Sequence, residues 1–103
     1  MEIESLGGRP SRRLAERYPL QLRVELPDGI GRTRDVSTAG VYLVTDRWYG
    51  IGESMEFTLV FPEPPAPPPV RLRCQGTVVR VEPREAEVGL AVMMTSSAIV
   101  PAE

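Results

Sequence analysis

The stretch RRLAERYPLQLRVELPDGIGRTRDVSTAG, residues 12–40, carries the pattern that decides the fold. From Leu20 it alternates, with Leu20, Leu22, Val24 and Leu26 on one side and Gln21, Arg23 and Glu25 on the other. A period of two is the mark of a half-buried strand. Pro27, Asp28 and Gly29 then have the composition of a turn. A second strand is predicted over residues 30–36 and a third over 40–45. The alternation returns where Met55, Phe57, Leu59 and Phe61 interleave with Ser54, Glu56, Thr58 and Val60, a fourth strand. A fifth should run over residues 70–82, with Gly76 the position for a bulge or corner, and a sixth over 87–94. The closing TSSAIVPAE is too short for more than one helical turn. Six strands with turn signals between them predict an all-β antiparallel sandwich or barrel with little or no C-terminal helix.

A chain of 103 residues is one domain. Eleven prolines and nine glycines fit short strands and tight turns better than long helices. PEPPAPPP, residues 62–69, cannot lie inside a sheet because proline lacks the ladder donor, so it is read as a stiff loop between strands four and five. Its Pro-Pro-Ala-Pro spacing also matches ligands of proline-reading domains, but strands flank it closely on both sides. Residues 1–11, with Gly7, Gly8 and Pro10, read as a flexible N-terminal arm, residues 12–95 as the barrel domain and residues 96–103 as a short tail.

The composition excludes several functions. The chain has no histidine and one cysteine. There is no metal-ligand cluster, phosphate loop or base beside a nucleophile, which argues against an enzyme and against a cofactor. Cys74, inside VRLRCQG, reads as a buried inert thiol of a reducing compartment. No apolar run approaches the length of a membrane span, and the charged N-terminus lacks an apolar signal core. A cytoplasmic chain without membrane insertion is expected. A net charge of −2 and few aromatics speak against a DNA or RNA partner.

The charge distribution is more telling than its sum. All twelve cations are arginine, a planar fork suited to bidentate contacts and stacking. Arg-x-x-x-Arg occurs at Arg9/Arg13, Arg13/Arg17 and Arg80/Arg84, but chance alone supplies about one such pair in this composition. DVSTAG, residues 35–40, is more specific, since Asp-x-Ser-x-x-Gly is expected by chance on the order of 0.01 times. As a turn, Asp35 and Ser37 would bond their own backbone and Gly40 would take a positive φ. A binding role is compatible with that, because Asp35 and Ser37 share parity and face the same way if the strand continues. Arginine matches the O6 and N7 acceptors of guanine and also meets phosphate. A carboxylate accepts from the N1–H and amine of the opposite guanine edge. Arginines on one side and an aspartate on the other therefore suit an anionic guanine nucleotide.

RRLAERYPL before a strand, DVSTAGVYL, the GES-M-F-L-V-FP pattern, QGTVVRVEP and EVGLAVMM, in this order, resemble the PilZ domain, the bacterial receptor module for cyclic di-GMP. The resemblance covers residues 12–94. It implies a six-stranded antiparallel β-barrel, with ligand held between the N-terminal arm and the barrel exterior. It selects Arg13 and Arg17 as grips on guanine edges and phosphates, Asp35 and Ser37 as the barrel-side contacts to guanine, and Gly40 as the residue permitting the turn and close backbone approach. An arginine at the Arg12 position accompanies two stacked ligand molecules in the family, so an intercalated dimer is expected here. The implied function is a receptor whose arm orders on ligand binding and signals to a separate, unidentified protein. The alternative is a PilZ-like adaptor of pilus or motility machinery that works by protein contacts alone. The chain departs from the family in its proline-rich loop and in lacking the C-terminal helix of many members. That loss would bare barrel surface, with Val41, Leu43, Met93, Met94 and Trp48 the residues to watch for an apolar patch.

Overall fold

Alternating side chains divide the wall of this protein from its interior. The computed structural model describes residues 18–62 and 70–101. The described strands are β1 (Arg23–Leu26), β2 (Gly29–Val36), β3 (Gly40–Thr45), β4 (Ser54–Phe61), β5 (Val70–Pro83) and β6 (Val88–Val100). They form a closed barrel in the order β1-β2-β3-β6-β5-β4, antiparallel throughout, with β4 returning to β1 at Arg23↔Val60. This is the predicted six-stranded barrel, and no helix occurs among the described residues. The proposed arm and the proline-rich loop fall outside them, apart from Pro62.

The inward faces supply one aliphatic core. Leu22, Val24 and Leu26 meet Val41 and Leu43, Met55, Phe57 and Leu59, Cys74 and Val78, and Val88, Leu90 and Val92. Closing the sheet leaves no long edge in the barrel proper and lets side chains fill the middle. Val41 and Leu43 belong to this core, so they contribute nothing to an exposed patch. Met93 and Trp48 are exposed, while Met94 and Tyr49 pack partly against the core.

Three departures from strict alternation shape the wall. In β2 the register slips between Thr33 and Asp35, so Arg34 is an extra residue. In β5 it slips between Val78 and Arg80, making Val79 extra. The third slip falls at the Gln75/Gly76 step, where a bulge was predicted at Gly76, and the extra residue is Thr95 of β6.

Two boundaries differ from expectation. β1 begins at Arg23, not Leu20. The Thr33 hydroxyl takes the place of part of the ladder there, donating to the Leu20 carbonyl at 2.5 Å and accepting from the Leu22 N–H at 2.8 Å. β6 runs on to Val100, where the sequence suggested a tail after Met94. Residues 95–99 are exposed on both faces, so no half-buried alternation marks them as strand.

Candidate ligand-binding groove

DVSTAG forms the turn between β2 and β3. Ser37 Oγ accepts from the Ala39 and Gly40 N–H groups, each at 3.1 Å, and donates to the Gly40 carbonyl at 3.2 Å. The Ser37 N–H reaches the same carbonyl at 2.9 Å. One hydroxyl thus satisfies three backbone groups and holds the turn rigid. The strand stops at Val36, short of Ser37, yet Asp35 and Ser37 still line one surface.

Gly40 has its expected importance for a different reason. The described glycine with positive φ is Gly52, at 89°; Gly40 does not adopt that conformation. A Cβ on Gly40 would instead lie 2.7 Å from the Val92 carbonyl oxygen. The requirement is close backbone approach between β3 and β6.

On the barrel exterior, Asp35, Ser37 and Gly40 line a groove of about 310 Å³ together with Val79, Ala91 and Met93. The bulge at Arg34 makes this possible. Thr33 and Val36 both face inward, three residues apart, so Arg34 and Asp35 both face out. The bulge at Val79 acts in the same way on β5, leaving that valine half-exposed at the groove. The floor is therefore apolar and the rim carries a carboxylate and a hydroxyl. Such a surface suits a flat ring with donors along one edge. Its volume lies near the small end of the roughly 300–1,000 Å³ range of ligand pockets, which fits a base better than a whole dinucleotide.

Beside the groove runs an outward row across four strands, Asp35↔Tyr42↔Ala91↔Arg80. Tyr42 is covered by Arg34 and Arg80, whose guanidinium carbons lie 5.6 and 5.9 Å from its ring centre. Its hydroxyl donates to Glu82 Oε1 at 2.5 Å, and Arg80 pairs with the other Glu82 oxygen at 3.1 Å. Burial, and then the Glu82 carboxylate, raise the Tyr42 pKa; the Tyr42 hydrogen bond lowers that of Glu82. A second, wider and more polar depression contains Arg32, Arg34 and Arg84 with Asp46, Glu85 and Glu87. Arg32 is committed there to a two-pronged contact with Glu87 at 3.1 and 3.2 Å.

The chain reaches this wall at Tyr18. Its N–H donates to the Val36 carbonyl and the Val36 N–H donates to its carbonyl, both at 2.9 Å. Val36 lies between Asp35 and Ser37. Arg12, Arg13 and Arg17 themselves lie outside the described residues. Val79, Ala91 and Met93 were not foreseen as groove residues. A signal existed for Val79: the inward series Cys74, Gly76, Val78 steps by two and then by three to Val81, which marks the bulge. Among the described residues no group of three or more His, Cys, Asp or Glu is placed to hold a metal, and no helix is long and apolar enough to cross a membrane.

Comparison with known proteins agrees with this architecture. The family model of the PilZ domain matches residues 11–99. This chain belongs to the PilZ domain family. The solved structure of the Bacillus subtilis inhibitor of motility (MotI/DgrA) superposes with a TM-score of 0.71 at 20% identity, covering 88% of this chain and 46% of that one. At that identity the likeness concerns the fold, and this chain spans less than half the length of that protein. No curated protein matches the sequence.

Proposed function

We propose that this protein is a cyclic di-GMP receptor that takes one guanine in the Asp35/Ser37/Gly40 groove and closes the N-terminal arginines over the rest of the ligand. The observation that carries the reading is the convergence at one point of the wall. The turn that shapes the groove and the Tyr18–Val36 bridge involve adjacent residues, and Arg17 directly precedes Tyr18 in the sequence. Asp35 would accept from the guanine N1–H and amine, and Val79, Ala91 and Met93 would meet the ring face. Arg13 and Arg17 would bind phosphates and the acceptor edge as bidentate forks. Because the groove holds little more than a base, the remaining ligand needs a second wall. An arm that orders on binding would supply it, and the new surface would be read by a separate protein.

Calorimetry with cyclic di-GMP tests this reading on the wild type and on Arg13→Ala, Arg17→Ala and Asp35→Ala. Binding at tens of micromolar or tighter is expected, with at least a tenfold loss in each variant, the equivalent of about 1.4 kcal/mol. A wild type that does not bind in that range would leave only the ligand-independent adaptor. Arg12 would contact the second member of an intercalated ligand pair. A stoichiometry of two per chain that falls to one in Arg12→Leu is the expected result. Limited proteolysis should show the arm protected by ligand, and equal cleavage rates with and without it would remove the ordering step.

A further inference from the structure

β6 outruns its neighbour on one side. It pairs with β3 from Thr45↔Val88 to Gly40↔Met93, and the last contact on that edge is the Met94 N–H donating to the Ala39 carbonyl at 3.0 Å. On its other edge it continues against β5 as far as Arg71↔Val100. Among the described residues, no strand lies beside the outer edge of residues 95–100. Alternate residues of a strand direct their N–H and C=O groups to opposite edges, so this length presents a row of backbone donors and acceptors.

Natural edges are usually protected by charge, proline or a short length. Here residues 93–100, MMTSSAIV, carry no charge and no proline, and Pro101 comes only after the strand ends. The other outward positions of the wall are rich in ions, among them Arg23, Glu25, Arg32, Glu56, Arg71 and Arg73. Ile99 is 69% exposed and Val70 42% exposed on the paired strands.

We propose that residues 95–100 of β6 form a pairing edge for a second copy of this chain, joining two barrels through a two-fold antiparallel β6–β6 ladder. A two-fold contact sets the same segment against itself, residue i against j and j against i, so charges of one sign on the edge would face one another and a charge at the axis would face its own copy. This edge has none. The nearest cations are on β5, where Arg71 pairs with Glu25. Across the joint, Arg73 and its copy would stand three strand spacings apart, roughly 14 Å, beyond the Debye length of about 8 Å at physiological salt. Nothing in the charge pattern resists self-pairing, and the strand beside it is held in register by five cross-strand pairs, from Gln75↔Ser96 to Arg71↔Val100.

Sedimentation analysis of the full chain without ligand tests this independently of the receptor reading. A concentration-dependent dimer is expected by about 100 µM, above the micromolar range that interfaces of modest area commonly reach. Ser97→Lys and Ala98→Lys should each weaken it at least tenfold, with unfolding midpoints measured in dilute solution showing that the barrel survives. As a second readout, single cysteines at Ser96, Ser97 and Ala98 should give a disulfide-linked dimer on oxidation, strongest at the position nearest the two-fold. Cys74 is buried and should stay silent. A wild type that remains monomeric, as it would if another segment or protein covers the edge, overturns the proposal. So does a dimer that persists in both lysine variants, or the failure of all three cysteines to cross-link.

Discussion

Replacing Thr33 by valine tests how this barrel holds the strand that leads into its groove. Thr33 is fully buried, and its hydroxyl makes the 2.8 Å contact from the Leu22 N–H and the 2.5 Å contact to the Leu20 carbonyl. Valine has nearly the same shape, so no cavity opens and the change is one of polarity. Two hydrogen bonds of about 1 kcal/mol each are lost, and the Leu22 N–H is left buried without its acceptor. A buried methyl in place of the hydroxyl returns about 0.8 kcal/mol at most. The net cost is about 1–2 kcal/mol, which for a domain of this size lowers the unfolding midpoint by roughly 4–16 °C. Thermal unfolding by circular dichroism measures that shift, and amide exchange identifies its origin. The Leu22 amide should exchange faster in Thr33→Val but keep its protection in Thr33→Ser, which retains the hydroxyl. A midpoint within about 2 °C of wild type, with Leu22 still protected, would refute the idea that this hydroxyl substitutes for the ladder.

Gly40→Ala should be poorly tolerated, since its Cβ would meet the Val92 carbonyl at 2.7 Å. A destabilisation of about 1–3 kcal/mol is expected from the forced separation of β3 and β6, measured by urea unfolding, together with weaker cyclic di-GMP binding. Ser37→Ala removes the hydroxyl that organises the turn, and a loss of about 1 kcal/mol in stability is expected from the same urea titration. Burial pushes the Cys74 thiol up to about 11 from an ordinary 9. The folded state then holds a proton that the unfolded chain releases, so stability should be full below about pH 9 and decline as pH rises through 11. Urea midpoints across that range check the sign, and the decline should be shallower in Cys74→Ala. With no lysine in the chain, tyrosines are the other groups near that range, and burial raises Tyr42 and Tyr49 as well, so they add a decline of the same sign that persists in Cys74→Ala.

Much of the fold was legible because the barrel wall is half-buried. Leu22, Val24 and Leu26, then Met55, Phe57 and Leu59, write their burial as a period of two. Where burial does not alternate, that legibility ends. Residues 95–99 are exposed on both sides and gave no strand signal, although they are strand. Leu20 continues the alternation in sequence but stands 43% exposed, because the Thr33 side chain has replaced the ladder there. Gly40 illustrates a different limit. A glycine in a turn fits either a positive φ or a close approach, and only the tertiary neighbour, here the Val92 carbonyl, distinguishes them. The roles proposed for Arg12, Arg13 and Arg17 rest on family resemblance, since their spacing alone is what an arginine-rich chain produces by chance.

The bulges explain how a filled barrel can offer a site at all. An interior packed with Phe57, Leu59, Leu90 and their neighbours has no room for a ligand, so any binding surface must be on the outside. A regular wall there is convex and alternates single outward residues with inward ones. Inserting Arg34 in β2 turns Asp35 outward, and inserting Val79 in β5 sets a valine beside Arg80 on the same outer face. The two insertions flank β3 and β6 at the row Asp35↔Tyr42↔Ala91↔Arg80, and a bulge characteristically bends its strand and increases the local twist. Were the same residues paired without the bulge, Arg34 would stand opposite Tyr42 and Asp35 opposite the inward Val41. The carboxylate would then have to enter the core, with the whole lead-in slipped by one position. The groove, its carboxylate and the register of the segment carrying Tyr18 therefore depend on the same single-residue insertion.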